Sequence, residues 1–424
     1  MPRPSARVPL PVLVAPAAVS TALALWPIRR PFVAATAGWV WSLPAQELPL
    51  HVGALVGAAT APALAGRGGR AARPSDRVGV GIATLTWAGL GLVLSRHLAA
   101  AAALDRALAE GLGDGLGDGP GEGLGEGETT TSPSALHRTP WPRVLFRPWP
   151  LRPRGVRARR GMVYGPDPKT NRFDLYTRTG SSRAGGGNAS GGNSGSSDIS
   201  DISGSGAGDV RGVLVHIHGG HFRAGGPSRE SRAMLFDHAA RGWAAISTTY
   251  HLSPTPESGF PQHLVDVKRL LRWIRTEGPA HGIRADAPIV VAGSSAGAHL
   301  AMMTALTGGD PRFQPGFEDA DTTVAGAIGL YGYYGRLGLE TRDISDPVRH
   351  AASGAPPVAI IHGTHDTYTP VKGSRRLVRH LRAGSPNPVV YAELPGAQHG
   401  FDAVRSPRYL AVVDAVSRFT DRLA

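Results

Sequence analysis

The run Pro288-Ile289-Val290-Val291-Ala292 leads directly into Gly293-Ser294-Ser295-Ala296-Gly297, and that pentapeptide leads directly into Ala298-His299-Leu300-Ala301-Met302-Met303. A short, continuous apolar run reads as a buried strand, and the Ala/Leu/Met stretch after it reads as a helix. A serine becomes a usable nucleophile when a sharp strand-to-helix turn holds its hydroxyl clear of the backbone. Glycines two residues before and two after let strand and helix pass where any Cβ would collide. Ser295 is therefore the candidate nucleophile. Taken alone, Gly-x-Ser-x-Gly is also an ordinary turn in a chain with 57 glycines; the elements on either side separate the two readings.

The partners such a serine needs lie downstream. Val358-Ala359-Ile360-Ile361-His362-Gly363-Thr364-His365-Asp366 reads as a buried strand running into a Gly-containing loop that ends on a carboxylate. Val389-Val390-Tyr391-Ala392-Glu393-Leu394 reads as another strand, followed by a loop that carries His399. Ser, then Asp, then His is the chain order of α/β-hydrolases. His399 would accept the Ser295 proton and Asp366 would fix the imidazole tautomer. A loop Asp is otherwise a cap residue, and a single His among sixteen otherwise a structural one; the order and the preceding strands favour the catalytic reading. Upstream, Arg211-Gly212-Val213-Leu214-Val215-His216-Ile217-His218-Gly219-Gly220 is an apolar strand ending in His-Gly-Gly. The amides of Gly219, Gly220 and Ala296 are the expected oxyanion donors, with Ala296 opening a helix whose dipole favours negative charge.

Taken together, His218-Gly219-Gly220, Thr249-Tyr250-His251-Leu252-Ser253-Pro254, Gly293-Ser294-Ser295-Ala296-Gly297, His362-Gly363-Thr364-His365-Asp366 and Gly396-Ala397-Gln398-His399-Gly400 are similar to the successive motifs of hormone-sensitive-lipase-like bacterial carboxylesterases. Tyr164-Gly165-Pro166-Asp167 and Phe173-Asp174-Leu175-Tyr176 resemble the first strands of that family, so the likeness covers roughly residues 156 to 424. It implies an α/β-hydrolase fold and hydrolysis of carboxylic esters without a cofactor or metal. Two positions depart from the pattern: His221 stands where a further glycine is usual, and Ser294 where an acidic residue is common.

Between the motifs, Trp243–Tyr250 and Val324–Tyr331 read as strands, and His263–Ile274 and Tyr409–Leu423 as helices. The expected fold class is α/β, with a mostly parallel central sheet and helices on both faces. Asp266 falls within a helix and reads as structural.

A second region precedes the hydrolase. Val8 to Trp26, Pro31 to Gln46, Leu48 to Gly66 and Val78 to Ser95 carry no Asp, Glu, Lys or Arg. Windows near 20 apolar residues suit a bilayer core, and the Gly/Ala/Thr flavour suits helices packing in lipid. Residues 1–104 are thus expected to be a membrane region of three or four helices, 105–137 a Gly-rich acidic tether, and 138–424 the catalytic domain. A low-complexity insertion at 179–208 interrupts that domain and is tolerable as a surface loop, because closure cost grows only logarithmically with length. In a four-span arrangement Arg29, Arg30, Arg67, Arg70, Arg73 and Arg77 lie on one side, against Arg3, Arg7 and Arg96 on the other. The positive-inside rule then puts the catalytic domain outside the cytoplasm; three spans would reverse it. No triad or oxyanion residue precedes residue 138, so the hydrolase is expected to work without the helices.

The 424-residue chain has no cysteine, which excludes disulfides, cysteine nucleophiles and cysteine metal sites. Its formal charge of +13 is mostly arginine, with eight arginines from Arg138 to Arg160. That cluster suits anionic lipid; no base-reading motif accompanies it, so nucleic acid is not an expected partner. His216-Ile217-His218-Gly219-Gly220-His221 imitates a zinc-hydrolase motif, but Gly220 stands where that motif needs Asp. A binding protein on a decayed hydrolase fold would lack a triad member. The expected function is a membrane-anchored serine carboxylesterase acting through an acyl-enzyme on short- or medium-chain or lipid-derived esters, with an amidase or peptidase on the same fold as the alternative. The sequence leaves oligomeric state open.

Overall fold

The structure, a computed structural model, describes residues 8–65, 74–113, 139–179 and 210–424. The acidic tether from residue 114, the Gly/Ser insertion from residue 180, and Arg3, Arg7, Arg67, Arg70, Arg73 and Arg138 lie outside the described residues.

Eight strands form one sheet: β1 (Val156–Val163), β2 (Arg172–Arg178), β3 (Val213–Ile217), β4 (Ala244–Thr248), β5 (Ile289–Ser294), β6 (Gly326–Leu330), β7 (Val358–Gly363) and β8 (Val389–Leu394). Their order is β1-β2-β4-β3-β5-β6-β7-β8. β2 pairs antiparallel with β1 and β4, and every pairing from β4 to β8 is parallel. This is the α/β-hydrolase arrangement expected from the motifs. Every residue of β3, β4, β5, β6 and β7 is buried. Their continuous Val/Ile/Ala runs, rather than an alternating pattern, suit strands covered on both faces.

Helices α6 (Gln262–Thr276), α7 (Ala296–Leu306) and α8 (Lys372–Gly384) contribute Leu270, Met302 and Leu377 to the core on one face of the sheet. On the other face lie α5 (Arg232–Ala240) and α9 (Pro407–Asp421), with Met234, Val412 and Phe419 in a second core. Asp266 is structural as expected: its carboxylate accepts the His251 amide at 2.9 Å and pairs with Arg269 at 3.0 Å.

The N-terminal region forms α1 (Leu10–Leu25), α2 (Phe32–Glu47), α3 (Pro49–Leu64) and α4 (Pro74–Leu112). The first three have 16 residues each, short of the about 20 that span a bilayer core. Among the described residues one helix, α4 with 39 residues, is long and apolar enough to cross a membrane. The boundary expected at residue 104 falls inside α4. Ala100, Leu104, Ala107 and Leu108 are buried in the same core as Val390, Leu394, Tyr409 and Val412. Arg418 pairs with Asp105 at 2.6 Å, and Arg382 with Glu110 at 2.9 Å. The end of α4 is thus a layer of the hydrolase and not the start of a tether.

Candidate active site

The turn between β5 and α7 holds Ser295 at φ 56°, ψ −115°, left-handed backbone that a side-chain-bearing residue adopts only when its surroundings impose it. The imposing contacts are close. A Cβ on Gly293 would lie 2.1 Å from the Gly297 carbonyl oxygen, and one on Gly297 would lie 2.0 Å from that of Ile217. Both glycines are needed for β5, α7 and β3 to meet here. The Ser295 amide donates to the Leu330 carbonyl at 2.9 Å, tying the turn to β6.

Ser295, Asp366 and His399 are brought together from three loops at the carboxyl ends of the parallel strands. His399 Nε2 lies 3.0 Å from Ser295 Oγ, and His399 Nδ1 lies 2.8 Å from Asp366 Oδ2. Asp366 Oδ1 accepts the amides of Tyr368 at 2.9 Å and Thr369 at 2.7 Å, while the Thr369 hydroxyl donates to Oδ2 at 3.0 Å. Burial alone would raise the Asp366 pKa, but His399 and His362 outweigh it and hold the carboxyl well below the usual carboxylate range. A carboxylate only accepts, so Nδ1 carries the imidazole proton and Nε2 is left to accept from the serine. Gln398 Oε1 accepts the Thr367 and His399 amides at 3.0 and 3.3 Å, joining the acid and base loops.

The three expected oxyanion donors fare differently. The Gly219 amide is spent on Glu230 Oε1, which corrects its assignment: this loop uses it for bracing. Gly220 and Ala296 have amides with no acceptor among the described residues, and so has His221 at the departure from the family pattern. His221 has φ 58°, the conformation a glycine would supply there. Glu230 was not singled out in the sequence. Burial, and next the charge of Asp402, push its carboxyl up to about 7.

Ser294, the second departure, donates to Asp402 Oδ2 at 2.8 Å and lies 3.0 Å from His216 Nε2. Asp402 also accepts from the hydroxyls of Ser231 and Tyr331. The carboxylate usual at position 294 is replaced in space by one from the loop after His399. A carboxylate between Phe401 and Ala403 was the only signal in the sequence. The histidines of the zinc-like motif are engaged apart: His216 on Ser294, His218 on Thr249 and the Gly219 carbonyl, with His221 exposed. Burial lowers the pKa of His216 to about 3 and of His218 to about 4, so both are neutral.

With this geometry in view, comparison with known proteins shows what the chain is similar to. Residues 204–343 match the BD-FAE family. The match spans Gly219, Gly220, Ser295 and Ala296 and ends before Asp366 and His399. Among curated proteins of Mycobacterium tuberculosis (strain ATCC 25618 / H37Rv), the chain is similar to "Probable carboxylic ester hydrolase LipM", 36% identical over 49% of this chain and 53% of that one. It is also similar to "Esterase LipQ" (34%, covering 49% and 54%) and "Esterase LipC" (33%, covering 50% and 58%). The chain spans about half the length of the curated relatives it matches. Among solved structures, the apo form of Thermogutta terrifontis esterase 2 aligns at 21% identity and TM-score 0.48, over 65% of this chain and 96% of that one. The motif resemblance to α/β-hydrolase esterases is borne out.

Proposed function

We propose that this chain is a membrane-anchored serine carboxylesterase, and the observation that carries the reading is the continuous relay from Ser295 Oγ through His399 to Asp366 at 3.0 and 2.8 Å. His399 Nε2 takes the hydroxyl proton as Oγ attacks the ester carbonyl. The oxyanion of the tetrahedral intermediate is received by the free amides of Gly220 and Ala296, with the start of α7 adding its dipole. Collapse expels the alcohol, which leaves with the proton from His399, and Ser295 holds the acyl group. Water, deprotonated by the same imidazole, reverses the sequence and releases the acid. Asp366 stays ionised and supports the imidazolium at each stage.

Anchoring is supported by the length and apolarity of α4 and by large apolar side chains facing outward on these helices: Leu13, Trp41, Leu55, Leu85 and Trp87 are all exposed. The substrates that suit such placement are short- or medium-chain or lipid-derived esters, and in a four-span arrangement the arginine count of the loops favours a hydrolase outside the cytoplasm. The test is a screen of the full-length protein against p-nitrophenyl esters of graded chain length, beside the matching anilides, with Ser295→Ala as control. Ester turnover that vanishes in Ser295→Ala is expected. Preference for anilides would make the chain an amidase or peptidase, and turnover surviving in Ser295→Ala would remove the serine from the chemistry.

A further inference from the structure

Helix α2 lies against the loop that carries His399. The Trp39 indole donates from Nε1 to the His399 carbonyl at 2.7 Å, and its ring meets the imidazole edge to face, with centroids 5.4 Å apart at 86°. Tyr368, beside Asp366, stands 5.2 Å from Trp39 and 4.9 Å from His399. Phe32, on the same face of α2, meets Tyr368 with ring centroids 5.5 Å apart and planes tilted by 42°. The far end of α2 is fastened by a buried ion pair: Glu47 meets Arg408 at 3.1 Å and accepts from Ser406 at 3.0 Å. Gln46 donates to the Ala24 carbonyl at 3.0 Å, which couples α1 to the same joint. A helix held at one end by a charge pair and at its middle by an indole on the general base is not a detachable anchor.

The loop around His399 needs that support. Gly396 and Gly400 flank it with φ 63° and 79°, so its backbone turns twice through left-handed conformations. Asp366 and Thr369 hold the imidazole through Nδ1. They orient the ring, and Gln398 Oε1 holds the His399 amide, which leaves the carbonyl side of its main chain to another partner. Among the described residues, the His399 carbonyl has one donor, the Trp39 indole. We infer that Trp39 is a positioning residue for His399, so that the N-terminal helices form part of the catalytic centre; this rests on the serine esterase reading above. Trp39 touches no reacting atom. It acts through the main chain of the base, whose Nε2 must stay within hydrogen-bond reach of Ser295 while a proton moves.

The experiment uses the full-length protein in detergent, with Trp39→Phe removing the N–H but keeping a ring, Trp39→Leu removing both, and Trp41→Phe as a control on the outward face of α2. Active sites are counted with a fluorophosphonate, and its labelling rate, kcat and KM for a p-nitrophenyl ester are expressed per counted site. Trp39→Phe is expected to lower kcat and labelling rate together by about tenfold, as displacement of a catalytic group does, with KM within about twofold. Trp39→Leu is expected to fall further, and Trp41→Phe to match the parent. Fewer counted sites with unchanged kcat, KM and labelling rate per site would mean that Trp39 only packs, and would overturn the inference. A parent that takes no label at Ser295 would instead overturn the esterase reading beneath it.

Discussion

Two buried aspartates lie close to the candidate base, and their partners distinguish them. Asp366 addresses the imidazole, whereas Asp402 addresses Ser294, Ser231 and Tyr331 and braces the turn from below. Asp366→Asn keeps the shape but loses the charge that supports the imidazolium, so kcat per folded molecule is expected to fall by about 10⁴. Asp402→Asn faces three hydroxyl donors with an amide that can accept from only part of them. It is expected to cost about 1–3 kcal/mol of stability while each folded molecule retains most of its activity. Thermal melts beside kcat per labelled site check both variants. A large kcat loss in Asp402→Asn with Asp366→Asn near normal would move the acid to Asp402. The order Ser295, Asp366, His399 was legible because each residue follows an apolar strand. The commitment of the Gly219 amide to Glu230 was not, since a carboxylate eleven positions along the chain leaves no periodic trace.

At the scale of elements, the strands were legible because a buried parallel strand is a continuous apolar run, and β3 to β7 are buried on both faces. The helices ahead of them were legible as helices but not as neighbours of the hydrolase. Freedom from charge marks a segment that leaves water without saying whether lipid or protein receives it. Ala100, Leu104, Ala107 and Leu108 found protein. Removing them uncovers Val390, Leu394, Tyr409 and Val412 on one face of the sheet. Leu104→Ala and Leu108→Ala are each expected to cost about 2–5 kcal/mol, against a total stability of about 5–15 for a typical domain. A chain starting at residue 139 is therefore expected to aggregate or to lack counted active sites, contrary to the independence suggested by the motif positions alone. A soluble, monodisperse, fully active truncated protein would show that α4 is dispensable to the core.

For the whole molecule, apolar exposure is concentrated at one end. Val33, Leu55, Leu64 and Leu85 are each more than two-thirds exposed, and all belong to α2, α3 or α4, the helices ahead of the hydrolase. A monomer in water rarely leaves so much apolar side chain uncovered, which supports the proposed contact with a bilayer. Phe32, 59% exposed, touches Tyr368 beside the base, which puts the rim of the site near this apolar end. Arginine-rich segments alone would give a salt-sensitive attachment, because surface charge is screened within about 8 Å at physiological ionic strength. Inserted helices instead resist both salt and alkaline carbonate. Full-length protein is expected to sediment with membranes through a high-salt wash and then through carbonate. Release by salt would assign the attachment to the arginines. Release by carbonate but not by salt would mean that the helices lie on the surface with their apolar faces shallowly buried, and that α4 does not cross.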